Sequence, residues 1–508
     1  MALFESMLIL SLVAVLLMQV SRRLRIPYPT MLAMAGACVA ALPWAPEIDI
    51  EPHLVLALFI SPALLDAAYD TSPRELKRHW LPLLSLVVVA VLLTTAVVAW
   101  AGWAFAGLPV AAALTLGAIV APPDAAASAA VLSQFSLPRR TLSVLQGESL
   151  LNDAVALLLF GLGVSWATTE SPAWSHVAPL LLAAVPGGLI FGIVMGKVMV
   201  KLAVGLAGTL SSIIAQFATT FAVWIIAERL HLSPIIAIVA YAMTIARYAP
   251  SRQSARDRVH SYSVWEAVVF MLNVFAFLLM GLQARSILSR LKDGELQHAL
   301  LFAGLVLALV ILVRLLWIAI YREAVKRWQP VPPASHTLLV SWCGMRGLVT
   351  LATAFALPAN FPGRDIIVLS AFGVVLGTLV IQGLTLRPLI RWLNIAPDGS
   401  LTAEISSART ELFRTALQSL AEETGPTAEA VKAEYAAGEG RARNVDNPQE
   451  KTEHDRLRLR AIQAQRRELA EMRRQGRVED DVFHVLEEEL DWSELSAAPP
   501  GYFQHLST

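Results

Sequence analysis

The chain has 508 residues, 56% hydrophobic and 16% charged, and its 40 basic and 40 acidic side chains cancel to zero. Soluble chains carry about a quarter charged residues, so this composition argues against a solvated multi-domain enzyme, and a mean hydropathy of +0.58 points to a polytopic membrane protein. The two cysteines, Cys38 and Cys343, both lie in apolar runs, which excludes a disulfide scaffold or a four-cysteine metal site.

The zero net charge hides a division. Residues 1–395 carry 26 basic and 18 acidic residues, a net +8, whereas residues 396–508 carry 14 and 22, a net −8. The spacing therefore predicts a transmembrane domain over 1–395 and a charged, mostly helical tail over 396–508. A bilayer core about 30 Å thick needs ~20 apolar residues per helix. By that measure thirteen spans are expected, near 2–20, 29–45, 52–69, 80–105, 109–135, 141–166, 177–200, 207–228, 232–248, 262–284, 297–320, 336–357 and 366–390. The flank of the first, Met1-Ala2-Leu3-Phe4-Glu5, has no positive charge, so that span reads as retained and not as a cleaved signal. Alternating the loops puts 19 basic residues on one side, from Arg22, Arg23 and Arg25 to Arg252, Arg387 and Arg391. Only five, Arg229, Arg285, Arg290, Lys292 and Arg364, fall on the other. The positive-inside rule then places the N-terminus outside and the C-terminus in the cytoplasm.

Ionisable groups at membrane depth cost at least ~2.5–3.5 kcal/mol each on insertion scales, so those that persist pair, line water or bind something. In chain order, the fifth span contains Ala121-Pro122-Pro123-Asp124. Two prolines remove two donors and disfavour helix before them. A helix break with free carbonyls beside the Asp124 carboxylate is expected, and a simple proline kink is the plainer alternative. The sixth span contains Gly147-Glu148-Ser149-Leu150-Leu151-Asn152-Asp153. Ser149 and Asp153 share one helical face, and Glu148 and Asn152 make the adjacent row. A polar network that only glues helices would explain a lone Asn or Ser, but two carboxylates favour a functional site. The eleventh span carries Arg314, and the twelfth Trp342-Cys343-Gly344-Met345-Arg346-Gly347. Glycines weaken that helix, and broken spans in corresponding places of two halves point to a secondary transporter with inverted repeats. Arg346 needs a counter-charge, and Glu148 is the expected partner. That pair reads as structural, because a guanidinium cannot ligate a cation.

These residues bring a resemblance with them. Gly147-Glu148-Ser149-Leu150-Leu151-Asn152-Asp153-Ala154, Gly344-Met345-Arg346-Gly347, and Trp265-Glu266 followed by Asn273 and Gly281 resemble motifs of the monovalent cation:proton antiporter-1 family, the sodium/proton exchangers of the bacterial NhaP and animal NHE type. The resemblance covers nearly the whole membrane domain. One departure is that the family's Thr-Asp-Pro or Val-Asp-Pro is here Pro123-Asp124-Ala125. The aspartate is kept, and Pro123 can supply the main-chain carbonyl that Thr would; the change bears on ion selectivity. The resemblance implies that Asp153 alternates between cation and proton, with Asp124, Ser149 and the Pro123 carbonyl completing the site beside Asn152. Glu148 with Arg346 would be a structural ion pair and Arg314 a supporting intramembrane charge. Asn152-Asp153, as opposed to two adjacent aspartates, resembles the electroneutral branch.

The chemistry of the residues agrees. Hard cations want oxygen ligands, and a buried carboxylate titrates nearer neutrality, so proton and cation compete for one site. An antiporter of Na⁺ for H⁺ is the first expectation, with a K⁺/H⁺ antiporter second. No nucleotide motif appears, so no cofactor is expected beyond the transported ions, and no nucleic-acid partner; a lipid bilayer and a second copy in a homodimer are. A cation channel could use the same carboxylates, but no repeated filter sequence is visible, and no H-E-x-x-H motif supports a membrane hydrolase.

In the tail, Leu412, Phe413, Ala416, Leu417 and Leu420 share a helical face. A polar linker is expected over 423–450. A second helix is expected near 453–475 with Leu459, Ile462, Leu469 and Met472 inward, then a third through Phe483, Leu486 and Leu490. A solvated arm without a ligand and a regulatory or dimer-contacting domain both fit that pattern.

Overall fold

The computed structural model describes residues 2–24, 26–40, 54, 56–132, 135, 137–168, 174–206, 211–249, 255–283, 293–327, 331–395, 400–443 and 448–497. Arg25, Arg252, Arg285, Arg290 and Lys292, which enter the charge reading above, lie outside the described residues. All regular structure among the described residues is helical. The chain divides into two compact units, Met1–Pro397 and Asp398–Thr508.

The first unit runs α1 (Ala2–Leu24), α2 (Tyr28–Ala40), α3 (Leu56–Tyr69), α4 (Pro73–Arg78), α5 (Trp80–Ala106), α6 (Val110–Val120), α7 (Ala125–Leu132) and α8 (Arg139–Thr168). It continues with α9 (Trp174–Leu206), α10 (Ser211–Arg229), α11 (Pro234–Tyr248), α12 (Ala255–Leu282), α13 (Asp293–Val325), α14 (Ala334–Trp342), α15 (Leu348–Phe355) and α16 (Arg364–Leu393). Each of the thirteen expected spans coincides with one of these helices, or with a pair of half-helices where a break was expected. Among the described residues, seven helices are long and apolar enough to cross a membrane, and four shorter ones are apolar.

Local chemistry explains where the elements stop. Between α5 and α6 the left-handed Gly107 (φ 62°) caps α5, and the Leu108 amide reaches back to the Gly102 carbonyl at 3.1 Å. Glycine takes that conformation without steric cost. Pro109, lacking an amide hydrogen, then starts the next helix. Within α5, a wide π-turn over Ser85–Ala90 presents the Ser85 carbonyl to the Trp317 indole of α13 at 3.2 Å. Helices α2 and α12 cross with their backbones nearly touching, because Gly36 and Gly281 face each other: a Cβ on Gly281 would meet the Ala33 carbonyl and the Gly36 Cα. Small residues at such crossings are how membrane helices gain packing without a hydrophobic drive.

Two cores result. The larger gathers buried residues of α2, α6, α7 and α12 to α16, including Leu32, Leu116, Phe277, Val310, Leu339 and Val374. The second gathers α3, α10 and α11 around Leu64, Trp224, Ile238 and Tyr241. Helix α8 belongs to both, with Leu145 in the first and Leu150 and Ala154 in the second. The polar row of α8 is thereby carried into the seam.

The second unit is two helical hairpins, α17 (Ser400–Ser419) with α18 (Pro426–Arg443), and α19 (Pro448–Arg474) with α20 (Asp480–Ala497). The linker expected over 423–450 is a correction: most of it is α18. Its alanines and glutamates are good helix formers, and Gly438, which reads as a breaker, is small because the Phe413 ring packs on it. Leu412, expected inward, is 71% exposed, whereas Ile462 and Leu469 are buried as their spacing requires. Arg466 ties the second hairpin together through Asp491 and Glu494, and these hydrogen bonds hold its guanidinium above the ordinary arginine range.

Candidate functional site

Both expected breaks occur, and they meet. The chain is non-helical from Ala121 to Asp124, between α6 and α7, and from Cys343 to Gly347, between α14 and α15. Non-helical backbone at membrane depth must find partners inside the protein, and here each break supplies the other's. The Asp124 amide donates to the Met345 carbonyl at 2.6 Å. The Leu348 amide donates to Asp124 Oδ2 at 3.3 Å. Arg346 donates Nε to the Val120 carbonyl and Nη2 to the Ala121 carbonyl, both at 3.0 Å, and Nη1 to the Gly344 carbonyl. Gly347 leaves room for this meeting, since a Cβ there would collide with the Asp124 carboxylate.

Helix α8 passes beside the crossing. Its Asn152, fully buried, donates Nδ2 to the Pro123 carbonyl at 2.9 Å. That bond gives a partner to the carbonyl of a residue that lies outside both half-helices. Asp153, one residue on, is 8% exposed and interacts electrostatically with Asp124, and Ser149 is half-buried one turn earlier. Two carboxylates, the Pro123 carbonyl and the amide of Asn152 therefore converge on the broken helices.

Glu148 has a different partner from the one expected. Its carboxylate takes two bonds from Arg314 of α13, Nη1 to Oε1 at 2.5 Å and Nη2 to Oε2 at 2.8 Å, with both side chains buried. The expected Glu148–Arg346 bridge is not formed. Arg346 lies inside the irregular segment, where unpaired carbonyls use up its planar fork of donors, while Arg314 projects from a neighbouring helix straight onto α8. Arg314 also donates to the carbonyls of Val340 and Ser341 at 3.0 and 3.1 Å. It thus ties α8 to the last turn of α14, next to the break.

Thr378 of α16, which sequence reading passed over, accepts the Arg346 amide at 3.0 Å. Its only sequence signal is a hydroxyl in an apolar span, and such hydroxyls more often bond their own helix. Of the carboxylates nearer the span ends, Glu228 and Glu266 are exposed, whereas Asp66 lines a cleft with Tyr69, Gln216, Tyr241, Arg258 and Trp265. Tyr241 and Trp265 of that cleft share the second core with Leu150 and Ala154 of α8, the helix that carries Asp153. Trp265 is fixed there by a 3.0 Å bond from its indole to Gln216.

Residues 8–392 match the model of the transmembrane sodium/hydrogen exchanger family. The chain is 29% identical to an uncharacterized Na(+)/H(+) exchanger of Mycobacterium tuberculosis over 98% of this chain and 97% of that one. It is 28% identical to the sodium, potassium, lithium and rubidium/H(+) antiporter of Bacillus subtilis, over 94% of this chain and 75% of that one. In structure it is similar to the sodium proton antiporter MjNhaP1 from Methanocaldococcus jannaschii, with a TM-score of 0.62 at 18% identity, covering 77% of this chain and 99% of that one. With charged residues gathered at two crossed helix breaks inside an apolar bundle, the chain belongs to the sodium/hydrogen exchanger family and is an integral membrane antiporter of monovalent cations and protons.

Proposed function

We propose that Asp153 is the group for which cation and proton compete, and that Na⁺ is the preferred ion, exchanged one for one with H⁺. The observation that carries this is the convergence of Asp153 and Asp124 on the crossed breaks. Two carboxylates held near each other in an apolar interior favour taking up one positive charge, and a hard cation would find oxygens there from both of them, from Ser149 and from the Pro123 carbonyl. Asn152 adds no charge, so the exchange carries one cation against one proton and is electroneutral. Glu148 and Arg314 cancel each other, and Arg346 braces the breaks, so these three stay outside the exchange. The protein would work by alternating access in a bacterial plasma membrane, in pH homeostasis, as a homodimer with its N-terminus outside and its acidic tail in the cytoplasm, as the loop charges favour.

The test is dye-monitored proton movement in proteoliposomes. Asp153→Asn is expected to abolish cation-dependent proton movement without lowering the amount of folded protein, and near-normal exchange by that variant removes Asp153 from the central role. A K⁺/H⁺ antiporter is the second reading, favoured by Pro123 standing where the family pattern has Thr or Val and by the several cations in the name of the Bacillus subtilis relative. Adding Na⁺, K⁺ and Li⁺ in turn, with voltage clamped by an ionophore, separates the two and tests electroneutrality.

A further inference from the structure

One cationic cluster of the membrane unit is left unused by the exchange site. It lies where the first turn of α8 meets the junction of α4 and α5, the C-terminal end of α13 and the first turn of α14. Arg140 of α8 is its centre, within electrostatic reach of His79, His336 and Tyr321. The neighbouring Thr141 hydroxyl lies 3.3 Å from Nδ1 of His336. Glu75 is the carboxylate facing the group, 3.4 Å from Nε2 of His79 and 4.0 Å from Arg78, so Arg140 supplies the standing positive charge of the cluster and His336 a ring beside it. The Tyr321 hydroxyl and Arg322 Nε are shielded from solvent and accept or donate no bond within the protein.

The cluster caps an apolar seam. Trp80 directly follows His79 and is 56% exposed, and Leu81 and Leu84 are exposed beside it on α5. Leu316 and Ile320 are exposed on α13, and the Trp317 indole, bonded to Ser85, pins the two helices together between these walls. Exposed apolar side chains are ordinary on a membrane-facing surface. A seam of them ending on an arginine, two histidines and a tyrosine hydroxyl is the shape of a headgroup with its chains. Basic pockets between membrane helices recognise anionic headgroups in this way.

We infer that this seam is a binding site for an anionic phospholipid, its phosphate held by Arg140 and His336 and its acyl chains lying between α5 and α13. The occupant is a membrane lipid and not free phosphate, because the apolar walls continue from the cationic end. Burial and the Arg140 guanidinium hold His79 below the ordinary histidine range, with Glu75 opposing them. A bound phosphate favours the protonated ring, so binding strengthens as pH falls. The site shares α8 with the exchange site: Arg140 and Asp153 are thirteen residues apart, about 20 Å along the helix, and Gly147 of the same helix is packed against Leu76 and Leu83 of α4 and α5.

The experiment is native mass spectrometry of the purified full-length protein, given equal amounts of phosphatidylglycerol and phosphatidylcholine with the same acyl chains. Retention of phosphatidylglycerol over phosphatidylcholine by about tenfold or more is expected, since charge-assisted hydrogen bonds are the strong ones. The preference should be larger at about pH 6 than at about pH 8. R140Q combined with H336Q should bring it to near parity, and R140K should keep most of it. If the double variant fails to fold, L81E serves instead, putting a repelling charge on an exposed position. Equal retention of the two lipids by the wild type, or an unchanged preference in R140Q/H336Q or L81E, overturns the proposal. Displacement of bound phosphatidylglycerol by excess inorganic phosphate overturns the lipid in favour of a free phosphate ligand.

Discussion

Arg314 and Arg346 are two guanidiniums in one apolar interior, neutralised by different means. Arg314 meets a carboxylate head-on, so removing either member strands a buried charge; Glu148→Ala or Arg314→Ala is expected to cost about 3–5 kcal/mol. The loss should appear as a lower melting temperature in detergent, and the pair Glu148→Gln with Arg314→Gln should recover part of it, which a purely local packing effect would not. Arg346 instead spreads its donors over carbonyls of two chain segments. Lysine offers a compact ammonium in place of that fork, so Arg346→Lys should lower exchange although the charge is kept. Gly347 keeps space for the crossing, since a Cβ there would collide with the Asp124 carboxylate. Gly347→Ala should displace the Asp124 carboxylate and reduce exchange by more than it reduces melting temperature, and proteoliposome rates set beside thermal melts decide that.

At the scale of elements, each half-helix leaves carbonyl and amide groups, several of which are satisfied by the opposite break. The four segments α6, α7, α14 and α15 therefore form one assembly, clasped by α8 through Asn152 and by α16 through Thr378. Breaks of this kind were legible in the chain, because proline and paired glycine act on their own backbone. Helix α18 was not, since Gly438 signals a linker until the Phe413 ring is seen to need its space. The crossing of α2 and α12 depends on contact of the same kind. Gly281→Leu would drive a side chain into the backbone of α2, and overpacking of this sort costs about 1–3 kcal/mol or more. A matching drop in folded yield and melting temperature is expected, with loss of monodisperse protein on size exclusion in the severe case.

For the whole molecule, the membrane unit contains the two large hydrophobic cores and every residue of the candidate site, and the second unit closes its own hairpins. Removing residues 398–508 should leave a membrane unit that still purifies as one species and still moves protons on cation addition; a protein that no longer folds would show that the second unit completes it. Features that act along the chain follow from its residues alone: hydropathy set the spans, proline and glycine set the breaks, and the cost of burying charge singled out Asp124, Glu148, Asp153, Arg314 and Arg346. Which of them meet is a matter of packing. Glu148 and Arg314 lie 166 residues apart, and the choice of Arg314 over Arg346 depends on how α13 is rotated against α8 and on which free carbonyls the breaks offer. Hydropathy carries no information about rotation, and a buried guanidinium takes whichever acceptors packing brings within reach.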